Sequence, residues 1–399
     1  VAAASSIGRS ASPAPARTLG EPPPFLRFVA VGASDGPICG VRDHATLLAH
    51  GLEQAGAPCS LQWLYRSIGS QASMRAQMRD WTRRLEVELA AARPDVVLLH
   101  YSVFTLSYRG LPLYVNELMG ALRRAGAPVI GVMHELAYPW RHGGWRGKVW
   151  SVSQRVALRG VVRGSAALLV TADFRDPWLK SRLWLPERPV MVAPVYSNLP
   201  SPSATPIAPR DRPVVGLFGY AYQGAAIALI LDALARLAHA GEPPQLLLLG
   251  APGENSAPAQ EWRALARERG IADSIAFSGT LAPQPLSDAL AGCDLLLFAD
   301  EGGPSSRKGS LAGSLASGRP VVALDGRRRW AELDRAHALE VVEPRADALA
   351  GAIGSLLADG ERREALGARG RAFAAERMSV AATVSAVLTL ARSVNSAGG

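Results

Sequence analysis

Short apolar runs alternate with amphipathic stretches along most of the chain. The first half predicts strands at Phe25–Ala33, Ser60–Tyr65, Asp95–His100, Pro128–Met133 and, last in that half, Ala166–Thr171. Between them, apolar residues recur at helical spacing over 41–55, 73–92, 112–125 and 145–164. The proline- and serine-rich segment Asn198–Pro206 breaks this rhythm and reads as a linker. The alternation then restarts, with strands at Val214–Phe218, Gln245–Leu249, Ser274–Ser278, Asp294–Ala299 and Pro320–Leu324, and helices between and after them. Strands that alternate with helices at this spacing build parallel sheets covered on both faces. The expected fold class is therefore α/β, with two Rossmann-like domains facing a cleft. The expected boundaries are a disordered tail at 1–24, a first domain at 25–200, a linker at 201–212, a second domain at 213–380, and a final helix and tail at 381–399.

One stretch, from Gly292 to Ala323, carries the clearest chemistry. An apolar strand runs into a polar glycine-rich loop, a short helix from about Ser310, and a second strand after Gly318. In open α/β sheets ligands bind at the carboxyl ends of the strands, where such loops lie. The unpaired amides at the helix start, Gly309 and Ser310, attract an anion, and Arg307 and Lys308 just before them add two full positive charges. This is a candidate diphosphate cradle; the competing reading is an exposed basic turn whose glycines serve only chain reversal. A second glycine loop, Ser34–Gly40, follows the first strand, but glycines at 32, 36 and 40 do not have the dinucleotide spacing, so NAD and FAD are not expected.

Composition narrows the classes. A hydrophobic share of 48% with 19% charged residues over 399 residues describes a folded chain of about two domains. Residues 1–200 carry 23 Lys and Arg against 13 Asp and Glu, whereas the remainder carry 20 against 21, so the entire excess of +9 resides in the first half. That asymmetry points to an anionic partner for the first domain. Trp140–Arg163 concentrates it: tryptophans and six basic side chains without an acid suit an anionic membrane surface, or equally a solvated face with Trp150, Val156 and Leu158 turned to the core. No nucleic-acid-binding motif accompanies these charges. Cys39, Cys59 and Cys293 have no metal or redox spacing and read as small core residues of a reducing compartment. No stretch reads as long and apolar enough to span a bilayer. The expected location is cytoplasmic, with a peripheral position on the inner membrane face as the membrane option.

The runs Phe277–Leu281, Leu286–Leu290, Cys293–Asp294 and Ala316–Ala323, followed by Asp347–Leu349, Leu356–Asp359 and Leu366–Gly367, resemble the carboxyl domain of GT-B glycosyltransferases of family four. Gly40-Val41-Arg42-Asp43-His44 is similar to that family's first glycine loop, and Val132-Met133-His134-Glu135 to its mid-domain strand end with a functional histidine. The resemblance spans most of residues 25–390. It implies a nucleoside diphosphate sugar as donor, a lipid-linked or glycan acceptor, retention at the anomeric carbon, and no cofactor. Two departures stand out. The family's glutamate pair would fall on Ser305 and Gly313, and its Arg and Lys after the first strand of the second domain near Tyr220 and Gln223.

Arg307 and Lys308 are accordingly expected to supply the phosphate charge from the other wall of the cleft, without a divalent metal; the sequence has no Asp-x-Asp signature. His134, at a strand end, is expected to meet the donor, with Glu135 orienting it, binding the acceptor or acting as base. The structural alternative for Glu135 is helix capping. Gly219, Tyr220, Gly279, Thr280, Glu301, Ser305 and Ser306 are expected on the donor side, and Gly40, Asp43, His44 and Trp140 on the acceptor side. A catalytically silent nucleotide-sugar-binding partner of a glycan assembly complex is the alternative function.

Overall fold

The computed structural model describes residues 26–34, 39–66, 69–108, 110–112, 114–140, 143–203, 210–219, 224–241, 243–250 and 255–396. The tail at 1–24, Tyr220, Gln223, Arg141 and much of the expected linker lie outside the described residues. The first sheet contains β1 (Phe28–Ser34), β2 (Cys59–Tyr65), β3 (Val96–Ser102), β4 (Val129–Glu135), β5 (Ala167–Val170) and β6 (Val190–Val192), in the order 2-1-3-4-5-6. The second contains β7 (Val214–Phe218), β8 (Gln245–Leu249), β9 (Ile275–Phe277), β10 (Leu295–Phe298), β11 (Val321–Leu324) and β12 (Glu340–Val342), in the order 12-11-10-7-8-9. Every pairing is parallel.

These strands form where the sequence places apolar residues without alternation, because helices cover both sheet faces. β1 and β3 are buried at every position, and so are β10 and β11. Two strands were not anticipated: β12 at the edge of the second sheet, and β6, which follows a six-residue helix, Arg175–Lys180, and completes the first sheet after the last strand expected there. Each has three half-buried residues at a sheet edge, too short a run to signal itself. In each sheet the order reverses once, between β1 and β3 and between β7 and β10. The crevices that result are where ligands settle in open parallel sheets.

The final helix, Val380–Ser396, leaves the second domain and packs on the first. Val384, Val387, Leu390 and Ala391 join Phe28, Leu48, Leu52 and Ile130 in one buried cluster. This helix also corrects the expectation that no stretch could cross a bilayer. The helical stretch Gly360–Ser396 contains a window long and apolar enough by length and composition, with a mean hydropathy of 1.3. Part of that window is instead packed into the protein core, through Val384, Val387, Leu390 and Ala391.

A second seam joins the domains at the front of the cleft. The Ser306 hydroxyl donates to Asp173 Oδ1 at 2.7 Å and accepts from the Asp173 amide at 2.8 Å, and the Val195 amide donates to the Ser306 carbonyl at 2.9 Å. Ser306 is fully buried.

Leu390→Ala should remove a side chain that the carboxyl helix inserts into the first-domain core. We expect a loss of about 2–5 kcal/mol, read as a lowered urea midpoint. An unchanged midpoint would mean that the helix does not dock.

Candidate functional site

Because both sheets direct their carboxyl ends at each other, the loops that follow the strands enclose a cavity of about 470 Å³ between the domains. Its first-domain wall is the helix start Gly40, Asp43 and His44, the turn Ser102–Thr105 after β3, and His134 and Glu135 at the end of β4. Its second-domain wall includes Arg307 and Gly309. The basic turn therefore faces the gap between the halves and not the outer surface. Cys39, expected in the core, is half-buried and lines the same cavity, whereas Cys59 and Cys293 are core residues.

Three histidines converge below the first-domain wall. His100 lies near the end of β3 and His134 near the end of the neighbouring β4; the register sets His100 opposite Val132 and, at an irregularity, skips His134, so the two rings meet across a diagonal, with His100 Nδ1 3.1 Å from His134 Nε2. His44, one turn into the helix after β1, sets its ring edge-on to His134 at 4.9 Å and stacks on Tyr196 at 4.4 Å. The Tyr196 hydroxyl donates to the His44 carbonyl at 2.5 Å. Both ring nitrogens of His44, and Nε2 of His100, are buried without a hydrogen-bond partner. Burial pushes His44 down to about 3, and burial together with the neighbouring histidines holds His100 and His134 well below the ordinary range. All three rings are neutral at physiological pH. His134 is thus no isolated strand-end histidine; its partners come from positions 90 and 34 residues away in sequence, and the one legible signal is that His100 lies near a strand's carboxyl end and His44 in the first turns of the helix after one.

Glu135 accepts a hydrogen bond from the Ser102 hydroxyl at 3.0 Å, which fixes its carboxylate beside the cavity. Arg175 lies beneath. It is 5% exposed, donates to the Met133 carbonyl at 2.7 Å and to Thr171 Oγ1 at 2.8 Å. Its guanidinium is pushed down to about 10, first by burial and then by the positive charge of Arg307, while Glu135 opposes the shift and Arg328 reinforces it. Cations from both domains therefore repel one another across an open cavity. Sequence reasoning missed Arg175 because it belongs to the short helix before β6, which the pattern did not show.

The second-domain loop is stiff by construction. Gly303, at φ 81°, has no room for a side chain: a Cβ there would lie 2.7 Å from the Gly326 nitrogen. Lys308 pairs with Asp300 at 2.5 Å, so it and Arg307 are not equivalent. Ser305 is buried, and the Ser306 hydroxyl is engaged with Asp173. Gly219, after β7, comes close to Ser310: a Cβ on it would lie 3.9 Å from the Ser310 Cβ, at the reversal of the second sheet. At Gly313 a Cβ would be 3.2 Å from the Phe218 ring, so this helix face is packed where the family carries a glutamate.

Other expected residues are not brought into the cavity lining. Gly279 and Thr280 follow the edge strand β9, and Glu301 is exposed in the turn after β10. Trp140 is 51% exposed and lies against the Arg155 guanidinium, 5.4 Å from the ring centroid. A larger cleft of about 830 Å³ borders the 197–203 segment. Two arginines there, Arg319 and Arg371, already donate to the carbonyls of Ala291 and Ser317.

Residues 212–359 match the family model described as "Glycosyl transferases group 1". No curated protein matches the chain by sequence. Among solved structures, a glycosyltransferase from Rickettsia africae superposes with a TM-score of 0.68 at 13% identity, covering 92% of this chain and 98% of that one. HepE of Anabaena, in complex with UDP and glucose, gives 0.63 at 17% identity, covering 92% and 99%. WaaG, a glycosyltransferase involved in lipopolysaccharide biosynthesis, gives 0.59 at 14%, covering 91% and 100%. The chain has the two-domain GT-B fold, and residues 212–359 of its carboxyl-terminal half are similar to the group 1 glycosyltransferases.

Proposed function

We propose that the protein transfers a sugar from a nucleoside diphosphate sugar to a lipid-linked or glycan acceptor held by the basic first domain, with retention at the anomeric carbon. One observation carries this reading: Arg307 and Gly309 of the second domain share a cavity with His134 and Glu135 of the first. Glycosyl transfer develops negative charge on the departing diphosphate, and preorganised cations and amides stabilise it without reorganising. Arg307 and the amides that open the helix Gly309–Ala316 supply those groups, with Arg175 adding charge from below. An anion also relieves the repulsion between these arginines. Glu135, held by Ser102, is placed to take the acceptor hydroxyl proton or to bind the acceptor, and His134 to position the donor sugar. The complex of HepE with UDP and glucose makes UDP the first nucleotide to try for this chain.

The filled positions at Ser305 and Gly313 favour one competing reading, a silent sugar-nucleotide binder. A transfer or donor-hydrolysis assay separates the two. Glu135→Gln should reduce turnover by about 10²–10⁴-fold with little change in nucleotide affinity; no turnover by the wild-type protein with any nucleotide sugar would favour the silent binder.

Thermal-shift titration with UDP, GDP and TDP tests the phosphate site. One nucleotide should raise the melting temperature, and Arg307→Ala should weaken it by roughly 10–100-fold, the worth of a charge-assisted hydrogen bond. Lys308→Ala should cost less, because Lys308 is already paired with Asp300. Equal shifts in wild type and Arg307→Ala would refute the role of Arg307.

The membrane face belongs to the same proposal. On the helix Gly144–Gly164, Trp145, Val149, Val152 and Val156 are exposed beside Arg146, Lys148, Arg159 and Arg163, while Leu158 is buried and Trp150 half-buried. The exposed Val156 departs from the solvated-face alternative, in which it turned to the core. We assign this face to the anionic inner leaflet of a membrane, which places the protein on its cytoplasmic side. Flotation with anionic liposomes at low salt should retain the wild-type protein and release Trp145→Ala partially. No retention of the wild type would remove the membrane from the proposal.

A further inference from the structure

We propose that His44, His100 and His134 form a binding site for a divalent transition-metal ion of the zinc class. Each offers one ring nitrogen, and the three candidate ligand atoms lie within 4.8 Å of one another. Three nitrogens on one ion, each about 2.1 Å from it, sit about 3.4 Å apart in a tetrahedral arrangement. The His100–His134 pair, at 3.1 Å, is already near that spacing, so only His44 has to close in. His44 is 6% exposed, lines the cavity, and has no hydrogen-bond partner on either nitrogen. A buried imidazole without a partner is costly in a packed core, and a metal ion is the partner that three convergent nitrogens share best.

The scaffold holds the ligands from three separate elements. His100 and His134 are fixed by adjacent parallel strands, and His44 by the Tyr196 ring and by the helix Gly40–Gln54. Three protein ligands leave a tetrahedral ion one open position. His44 and His134 both line the cavity, so that position is available to water or to an oxygen of a bound donor. Ion binding stands on the histidines alone; only what the ion would polarise rests on the nucleotide-sugar reading. The proposal departs from the sequence-based expectation that no divalent metal is required.

The test uses the full chain without an affinity tag, dialysed against chelator and titrated with Co²⁺. Wild-type protein should take up one equivalent, with the intense visible absorption of a tetrahedral site, and one equivalent of Zn²⁺ should displace it. His44→Phe preserves a ring against Tyr196 and should bind Co²⁺ at least about tenfold more weakly, with circular dichroism confirming its fold. Arg307→Ala should bind Co²⁺ like wild type while losing nucleotide affinity. No saturable band in the wild type, or equal affinity in a folded His44→Phe, would overturn the site. The wild-type titration decides the matter even if the variant does not fold. A nucleotide shift in metal-free protein reports separately on the transferase reading, so either proposal can fail without the other.

Discussion

The cleft depends on how one serine is shared. Ser306 gives its hydroxyl to Asp173 and its carbonyl to the Val195 amide, so a second-domain loop is tied to the first domain at the residue before Arg307. Both hydrogen bonds are shielded, since Ser306 has no exposed surface, and groups buried in this way lose a full desolvation penalty when a partner goes. The loop's remaining freedom is consumed on its other side, where Gly303 abuts Gly326 and Lys308 holds Asp300. Arg307 is left as the side chain of that turn that faces the cavity. A glycine-rich turn that would otherwise be a weak motif thereby gains a defined orientation.

Much of this fold is legible in the sequence because parallel strands buried on both faces produce uninterrupted apolar runs. Leu295–Phe298 and Val321–Leu324 are examples, each buried throughout. β6 and β12 are not legible, since three half-buried residues at a sheet edge need little hydrophobicity. The basic turn of the site is legible as a strand, a glycine loop and a helix start. The histidine cluster is not: His134 meets His100 at an irregularity in the pairing of β3 with β4, and register is a property of two strands together. Lys308 and Arg307 look alike in the sequence, and only the carboxylate of Asp300 tells them apart.

Electrostatically the site is two-layered. At the cavity wall Arg307 lies within electrostatic reach of the buried Arg175, and their mutual repulsion favours an anion between them. Below lie three imidazoles that burial keeps uncharged. Had those rings been protonated, they would have merged with the arginines into one positive field. Kept neutral, they present lone pairs instead, and the two layers attract different ligands within one cavity.

The return of the carboxyl helix to the first domain has a mechanical consequence. The backbone passes between the halves twice, once near residues 197–203 and once near Met378–Val380, and the helix beyond the second passage is anchored by Val387 and Leu390. Two covalent crossings define a line, and a body held along a line can swing about it but cannot tumble. Any widening of the gap between the halves would turn about that line, and it would first have to break the buried bonds between Ser306 and Asp173 at the front of the cleft.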